Sequence, residues 1–278
     1  MMQSLLGELY YRKAKYYKAI LKKWALYSLF GRSRKNRDTS FVEKEYGAVW
    51  SRDRFAIERD KPQIQELHGQ AVRWRSIDRK RFTMSHISNT IRSLDGVKSV
   101  LEMGSGGGIN ILALAVLHPD ISEWHGVELT PEGVSVSRNI LVSPPYDYLE
   151  YVTGFSRDEI SKRLSRARIT FHKGDMTRLP FERDSMDCVF SCQAIEQLPR
   201  AYPEAFCEAK RVTRAHALFL EEFREAQANI FERMHLKNRD YFRASFHEAE
   251  KAGFTIISFE PFPLKQLYYS LGFLVCKS

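Results

Sequence analysis

The chain is short of several features that would settle its chemistry early. Its four cysteines (Cys188, Cys192, Cys207, Cys276) form no C-x-x-C pair. That leaves no disulfide framework and no thiolate zinc site, and suits reduced, buried thiols of a cytoplasmic protein. The eight histidines contain no H-x-x-x-H, and no D-x-D or carboxylate cluster stands out, so no metal is expected. No apolar run approaches the roughly 18 residues of a membrane span. Lysines interrupt the apolar N-terminal stretch throughout, so no secretory signal peptide is expected in it. No repeat is present, and no Ser-His-Asp arrangement can be argued.

Positive charge is what the chain has in excess, and it is unevenly placed. The net charge of the 278 residues is +9. Residues 1–37 hold ten Lys or Arg against the single acid Glu8, and the rest of the chain is balanced. A neutral body argues against a broad nucleic-acid footprint. Residues 4–30 have no proline and read as a helix. At 100° per residue, Arg12, Lys15, Lys18, Lys22 and Lys23 share one face. Leu6, Leu9, Tyr10, Tyr17, Ile20, Leu21 and Trp24 share the other, with Lys13 intruding. Such a helix suits an anionic membrane surface at the inner face of the membrane. It equally suits docking of the apolar face on the body or on a second subunit, and the oligomeric state is not legible.

The chain is organised around Lys98–Leu114. Val100, Leu101 and Met103 give a buried strand. Gly104-Ser105-Gly106-Gly107-Gly108 follows. Ile109, Ile111, Leu112, Leu114 and Ala115 then give helical spacing. Strand, glycine turn and helix open an α/β nucleotide-type site. The dinucleotide fingerprint fails, because Ile109 stands where its third glycine belongs. What stands instead is E-x-G-x-G-x-G: Glu102, Gly104, Gly106, Gly108.

Residues 31–40 read as a polar, basic, mobile linker, and residues 41–60 show no clear period. Pro62 can open a helix running to about Leu94. After the glycine turn, strands are expected at Trp124–Leu129, Ile169–His172, Met186–Ser191 and Ala215–Glu221. Phe254–Glu260 and Gly272–Lys277 form a last antiparallel pair. Helices are expected at Ile109–His118, Pro131–Leu141, Pro203–Val212 and Tyr241–Ala252. Ser156-x-x-Glu159 reads as a capping box in the long connection 143–167. Residues 223–240 read as a polar loop. Glu128 ends its strand 24 residues after Gly104, where a ribose-binding carboxylate is expected.

The glycine motif, Glu128, Gly174-Asp175-Met176 and Asp187…Ser191 occur in the order of the class I S-adenosylmethionine (SAM)-dependent methyltransferases, which the chain resembles from about Asp95 onward. Residues 1–94 show no such likeness. The group that methylates small molecules is the most similar. The resemblance implies a Rossmann-like fold, a seven-stranded, mostly parallel sheet with an antiparallel last strand, plus an N-terminal helical extension. The chain then divides into three parts: the basic amphipathic helix and linker (1–37), a helical segment (38–94) that the resemblance implies is a lid or substrate cap, and the SAM-dependent domain (95–278). It implies SAM as cofactor, held by Glu102, Gly104, Ser105, Gly106, Gly108, Glu128, Leu129, Asp175, Met176, Ser191 and Cys192. Asp175 would take the adenine amine and Met176 would pack the ring. Many relatives carry His where Gln197 stands here, so the usual imidazole base is missing.

The expected reaction is methyl transfer from SAM to a small or lipid-linked acceptor, by preference an oxygen of a glycan, quinone or lipid. Candidate bases are Glu196, His235 and His86, with Glu196 equally readable as a solvated helix acid. Two other readings are a nucleobase amino methyltransferase and a non-catalytic membrane-associated partner subunit with this fold. The former draws on Ser143-Pro144-Pro145-Tyr146. That motif belongs after the fourth strand, where Ser191-Cys192-Gln193-Ala194 stands, so S-P-P-Y reads as a turn.

Overall fold

A computed structural model describes residues 2–30, 37–50, 55, 57 and 60–278. The expected linker therefore lies largely outside the described residues. The core is a seven-stranded sheet in the order β5 (Arg168–Lys173), β4 (Glu123–Glu128), β3 (Ser99–Met103), β6 (Met186–Cys192), β7 (Thr213–Glu221), β10 (Gly272–Lys277), β8 (Thr255–Pro261). β3 pairs in parallel with β4 and β6, and β10 runs antiparallel to both β7 and β8. Alternate strand residues enter opposite faces. Val100, Cys188 and Phe190 pack on one side, and Leu101, Met103 and Val189 on the other. This is the Rossmann-like methyltransferase architecture expected from the sequence. The strand order reverses at β3, so the loops after β3 and β6 flank a crevice at the carboxyl edge.

Several helices sit where the spacing places them: α4 (Ile109–Leu117), α5 (Pro131–Val142) and α8 (Tyr202–Val212). The long connection holds α6 (Tyr146–Thr153) and α7 (Arg157–Leu164), and the Ser156 hydroxyl caps the latter by accepting from Glu159 N at 3.5 Å. Ser143 closes α5 and Pro145 opens α6, so S-P-P-Y is a helix-to-helix turn.

The single helix expected from Pro62 to Leu94 is not formed. β1 (Gln63–Leu67) and β2 (Gln70–Trp74) make a hairpin, and only α3 (Ser76–Arg92) is helical. The turn is His68-Gly69, both left-handed (φ 48° and 78°), which matches the twist of a two-residue hairpin. β9 (Leu264–Lys265) adds a third strand to it. The segment expected as a wholly helical cap thus mixes α2 (Thr39–Trp50), the hairpin and α3. The expected loop 223–240 contains α9 (Ile230–Arg239), capped by the Asn229 side chain. The helix expected over Tyr241–Ala252 shrinks to α10 (Glu248–Lys251). Asp240 turns left-handed, and Phe242, fully buried, donates its amide to Glu196 O at 2.9 Å. The chain there runs into the core instead of coiling.

Helix α1 (Met2–Phe30) docks on the hairpin and α9. Leu9 and Ile20 are buried. Lys13, the cation on the apolar face, donates to Glu66 at 2.7 Å. Tyr17 stacks on Phe231 at 4.3 Å between centroids, and the Tyr16 hydroxyl bonds the His235 ring. Docking covers only part of the apolar face. Tyr10, Leu21 and Trp24 stay exposed (62%, 44% and 44%) beside exposed Lys15, Lys18 and Lys22. Among the described residues no helix is long and apolar enough to cross a membrane.

Candidate active site

The glycine turn leaves β3 at the sheet's switch point. The Ser105 amide donates to Val127 O and the Gly108 amide to Ser105 O, both at 2.9 Å. Gly104, Gly106 and Gly108 all have positive φ. At Gly106 the need is twofold. Its φ of +53° is one that L side chains rarely adopt, and an added Cβ would lie 2.5 Å from the Trp50 ring. The indole of α2 therefore lies directly on the glycine backbone.

Two acids border this turn. Glu128, 7% exposed, accepts from Gly106 N at 3.1 Å through Oε2. Its Oε1 takes Thr130 N at 2.9 Å and the Thr130 hydroxyl at 2.6 Å. A carboxylate offers about four lone-pair sites, so capacity remains. Asp175 accepts Thr177 N at 2.9 Å and its hydroxyl at 2.8 Å, both on Oδ1. Beneath the turn, Glu102 Oε1 accepts from Asn110 Nδ2 at 2.6 Å, and Asn110 Oδ1 accepts from Lys80 Nζ at 2.6 Å. Burial pushes the Glu102 carboxyl up to about 8.

These groups open on one cavity of about 460 Å³, within the range of ligand pockets. Gly104, Ser105, Gly106, Glu128, Leu129, Asp175, Met176 and Cys192 line it. Tyr46 and Trp50 of α2 cover it from above, and Leu264, Gln266 and Leu271 of the β8–β10 connection close the far side. That connection is tied down at many points. The Tyr269 hydroxyl accepts from Gln193 Nε2 at 3.1 Å. Ser270 bonds Gln227 and Glu232, and Tyr268 packs on Tyr16 of α1 at 3.8 Å between centroids.

Glu196 also lines the cavity. It is no solvated helix acid: it lies in a short 3-10 turn and is 6% exposed. Oε1 accepts from Gln197 Nε2 at 2.8 Å, and Oε2 is buried without a hydrogen-bond partner. Glu221 and Glu222 lie behind it, both fully buried. Glu221 is structural, accepting the Ser191 hydroxyl and the amides of Ala194, Ile195 and Glu196. Burial first, then the repulsion of Glu221, raises the Glu196 pKa. Burial and Glu196 likewise raise that of Glu222. The trio cannot carry three negative charges, so protons stay on it where exposed carboxyls have lost theirs. Arg37 closes the cluster, donating to Gln197 Oε1 and to Glu45, with its guanidinium over the Tyr241 ring.

The other expected site residues lie elsewhere. Glu102, Gly108 and Ser191 support the site from beneath and do not line it. Gly108 starts α4 against Phe171, which leaves no room for a Cβ. His86 pairs with Glu260 at 3.4 Å on the outer side of α3. His235 is buried under α1, and burial lowers its pKa to about 4. Neither imidazole reaches the cavity. Cys192 does, but burial holds its thiol up at about 12, so it offers no thiolate. Sequence reasoning missed Tyr46, Trp50, Arg79 and Lys80 as lining residues. Among the described residues no group of three His, Cys, Asp or Glu could hold a metal ion.

Residues 101–220 match the family model described as a methyltransferase domain. No curated protein matches the chain by sequence. Among solved structures, magnesium protoporphyrin IX methyltransferase of Synechocystis PCC 6803, with bound SAH, is similar. It is 12% identical with TM-score 0.55, over 86% of this chain and 99% of that one. The [4+2]-cyclase SpnF gives 12% identity and TM-score 0.58 over 86% and 96%. A SAM-dependent methyltransferase of Methanosarcina mazei gives 14% and 0.52 over 68% and 96%. At such identities these structures show the fold alone; one of them belongs to a cyclase.

Proposed function

We propose that the chain, whose residues 101–220 match the model of a methyltransferase domain, is a class I SAM-dependent enzyme that methylates a hydroxyl of a small or lipid-linked acceptor. The observation carrying this is the Glu196 carboxyl, buried, protonation-poised and in the same cavity as the glycine turn.

The residues present fit SAM. Ser105 Oγ, on the cavity wall, is a buried polar atom with no internal partner, and Gly106 provides backbone where a Cβ has no space. Glu128, with lone pairs to spare, would take the ribose hydroxyls, Asp175 the adenine amine, and Met176 the ring face. Bound there, SAM supplies an electrophilic methyl group. The protein's part is alignment and dryness. Trp50 and Tyr46 roof the cavity, and Glu196 accepts the proton that the hydroxyl must lose. Gln197, donating to Glu196 Oε1 at 2.8 Å, fixes its orientation.

The exposed flank of α1 supports a lipid-linked acceptor. Tyr10, Leu21 and Trp24 lie beside three lysines, a pairing complementary to an anionic leaflet, where each cation contributes about 1 kcal/mol. The reading places the enzyme peripherally on the inner face of the membrane. The test is incubation of the full chain with methyl-labelled SAM and an extract of lipids and small molecules, followed by mass spectrometry. Label in a methyl ether is expected. SAM binding with no label transferred to any extract component refutes it.

A further inference from the structure

The wall of the cavity supplied by α3 is built the wrong way round for an ordinary helix. Ser76, Arg79, Lys80 and Thr83 all line the cavity. They stand at i, i+3, i+4 and i+7, the stripe that in a packed amphipathic helix is apolar. Here every member is a hydrogen-bond donor. Ser76 is also the first residue of α3, at the positive end of the helix dipole, where the Ile77 amide donates to Asp60 Oδ2 at 2.8 Å.

Among the described residues neither cation on this stripe has an ion-pair partner, and the carboxyl that feels the charge of Lys80 is Glu102, across Asn110. Arg79 donates through Nη2 to the Ser76 hydroxyl at 3.2 Å, and its Nε is buried with no partner. Lys80 meets only the neutral amide oxygen of Asn110. Among the described residues no carboxylate lies within ion-pair distance of either. Their neighbours differ: Arg75 pairs with Asp78 at 3.3 Å, and Arg81 lies over the Tyr151 ring at 5.7 Å. Glu128, Asp175 and Glu196 of the same cavity bond Thr130, Thr177 and Gln197 and pair with neither cation. Half-buried cations without counter-charge are costly unless something else supplies the charge. Beside Gln266, the apolar side chains Phe262, Leu264 and Leu271 line the same end of the cavity.

The geometry points to an anion subsite: Arg79 and Lys80 hold a carboxylate or phosphate of the acceptor, with its carbon skeleton against Phe262, Leu264 and Leu271. The acceptor is then an amphiphilic anion, presented from α3 to the Glu196 side of the same cavity. This rests on the methyltransferase reading for the word acceptor, but the subsite itself does not.

Calorimetry on the full chain, with octyl phosphate and octanoate as probes and octanol and octylamine as controls, tests it. At least one anion should bind, and both controls should bind at least about tenfold more weakly, the scale of one charge-assisted hydrogen bond. The two anion arms separate phosphate from carboxylate. Arg79→Met and Lys80→Met should each lose about tenfold or more in anion affinity, with SAM affinity unchanged. Arg79→Lys should keep most of the affinity and shows that the site still folds. Lys18→Glu on α1 should change nothing, which separates this site from surface attraction. Octanol binding as well as the anions overturns the proposal, as do unaltered affinities in both methionine variants. So does a Lys80→Met protein that loses SAM, since that lysine then belongs to the cofactor's carboxylate. Failure of the unaltered chain to bind SAM is a different result and sinks the methyltransferase reading instead.

Discussion

Replacing Glu196 by glutamine should make the protein more stable and less active. In the unfolded chain this carboxyl ionises in the usual range near 4.5, whereas in the folded protein burial, then Glu221, holds its proton to higher pH. Between the two values the unfolded state has lost a proton that the native state retains. Stability therefore falls as pH rises through that window. Each pH unit of separation costs about 1.4 kcal/mol. With the folded carboxyl held up at about 8, the cost reaches on the order of 4 kcal/mol by pH 8. Glutamine cannot ionise, is nearly the same shape, and can still accept from Gln197 Nε2. Urea unfolding should show the variant and the parent alike near pH 4 and the variant more stable by about 2–4 kcal/mol at pH 8. Methyl transfer into the labelled product should fall by roughly 10²-fold or more, with SAM affinity by calorimetry unchanged. The parent's rate should also rise with pH where the variant's is flat. Equal stability at pH 8 refutes the burial argument, and an undiminished rate removes Glu196 from the chemistry.

Gly106→Val should abolish SAM binding measured by calorimetry, since its Cβ would meet the Trp50 ring at 2.5 Å in a left-handed backbone position. The circular dichroism of the sheet and helices should be retained. Asp187→Ala, far from the cavity at the amino end of β6, should destabilise by about 2–4 kcal/mol in urea unfolding. It removes the acceptor of Lys98 N, Ser99 N and the Ser99 hydroxyl, each at 3.0 Å, and the partner of Arg214. Burial opposes its ionisation, yet these bonds outweigh it and hold the pKa below 3.8. Its contribution is therefore present above that value and lost as pH falls through the folded pKa. Leu21→Ser with Trp24→Ser, both on the exposed side of α1, should leave the melting temperature unchanged. The same variant should shed at least about half of the binding to anionic liposomes in a flotation assay. Unaltered flotation would show that α1 serves packing only.

The cofactor end was legible because its signals are local. A strand, a glycine turn and an acid at the next strand end need only period and spacing, and Gly104, Gly106, Glu128 and Asp175 meet at one cavity accordingly. The acceptor end was not, because its residues come from segments that tertiary pairing decides. His68-Gly69 was a hairpin turn hidden in a stretch of helix-forming residues. Trp50 ends a helix with no clear period in its sequence. Arg79 and Lys80 lie in the stretch expected as one long helix, and nothing in their spacing says that this face points inward. Glu196 could be named from the sequence but not weighed. Its burial depends on Phe242 crossing into the core and on Glu221 gripping the turn from below. His86 and His235 carried the right chemistry and lie on the wrong sides of α3 and α1.

The β8–β10 connection divides the molecule's labour. One end of the cavity is rooted in strands β3, β4 and β6. The other hangs on α3 and on a strap that is pinned to α1 through Tyr268 and Tyr16 and to the hairpin through Leu264. Nearly all of that second end comes from outside residues 101–220. Substitutions there would reshape that end of the cavity while the end formed by the glycine turn keeps its form. The strap also couples α1 to this end of the cavity: a shift of the helix would displace Tyr268, which lies between the lining residues Gln266 and Leu271.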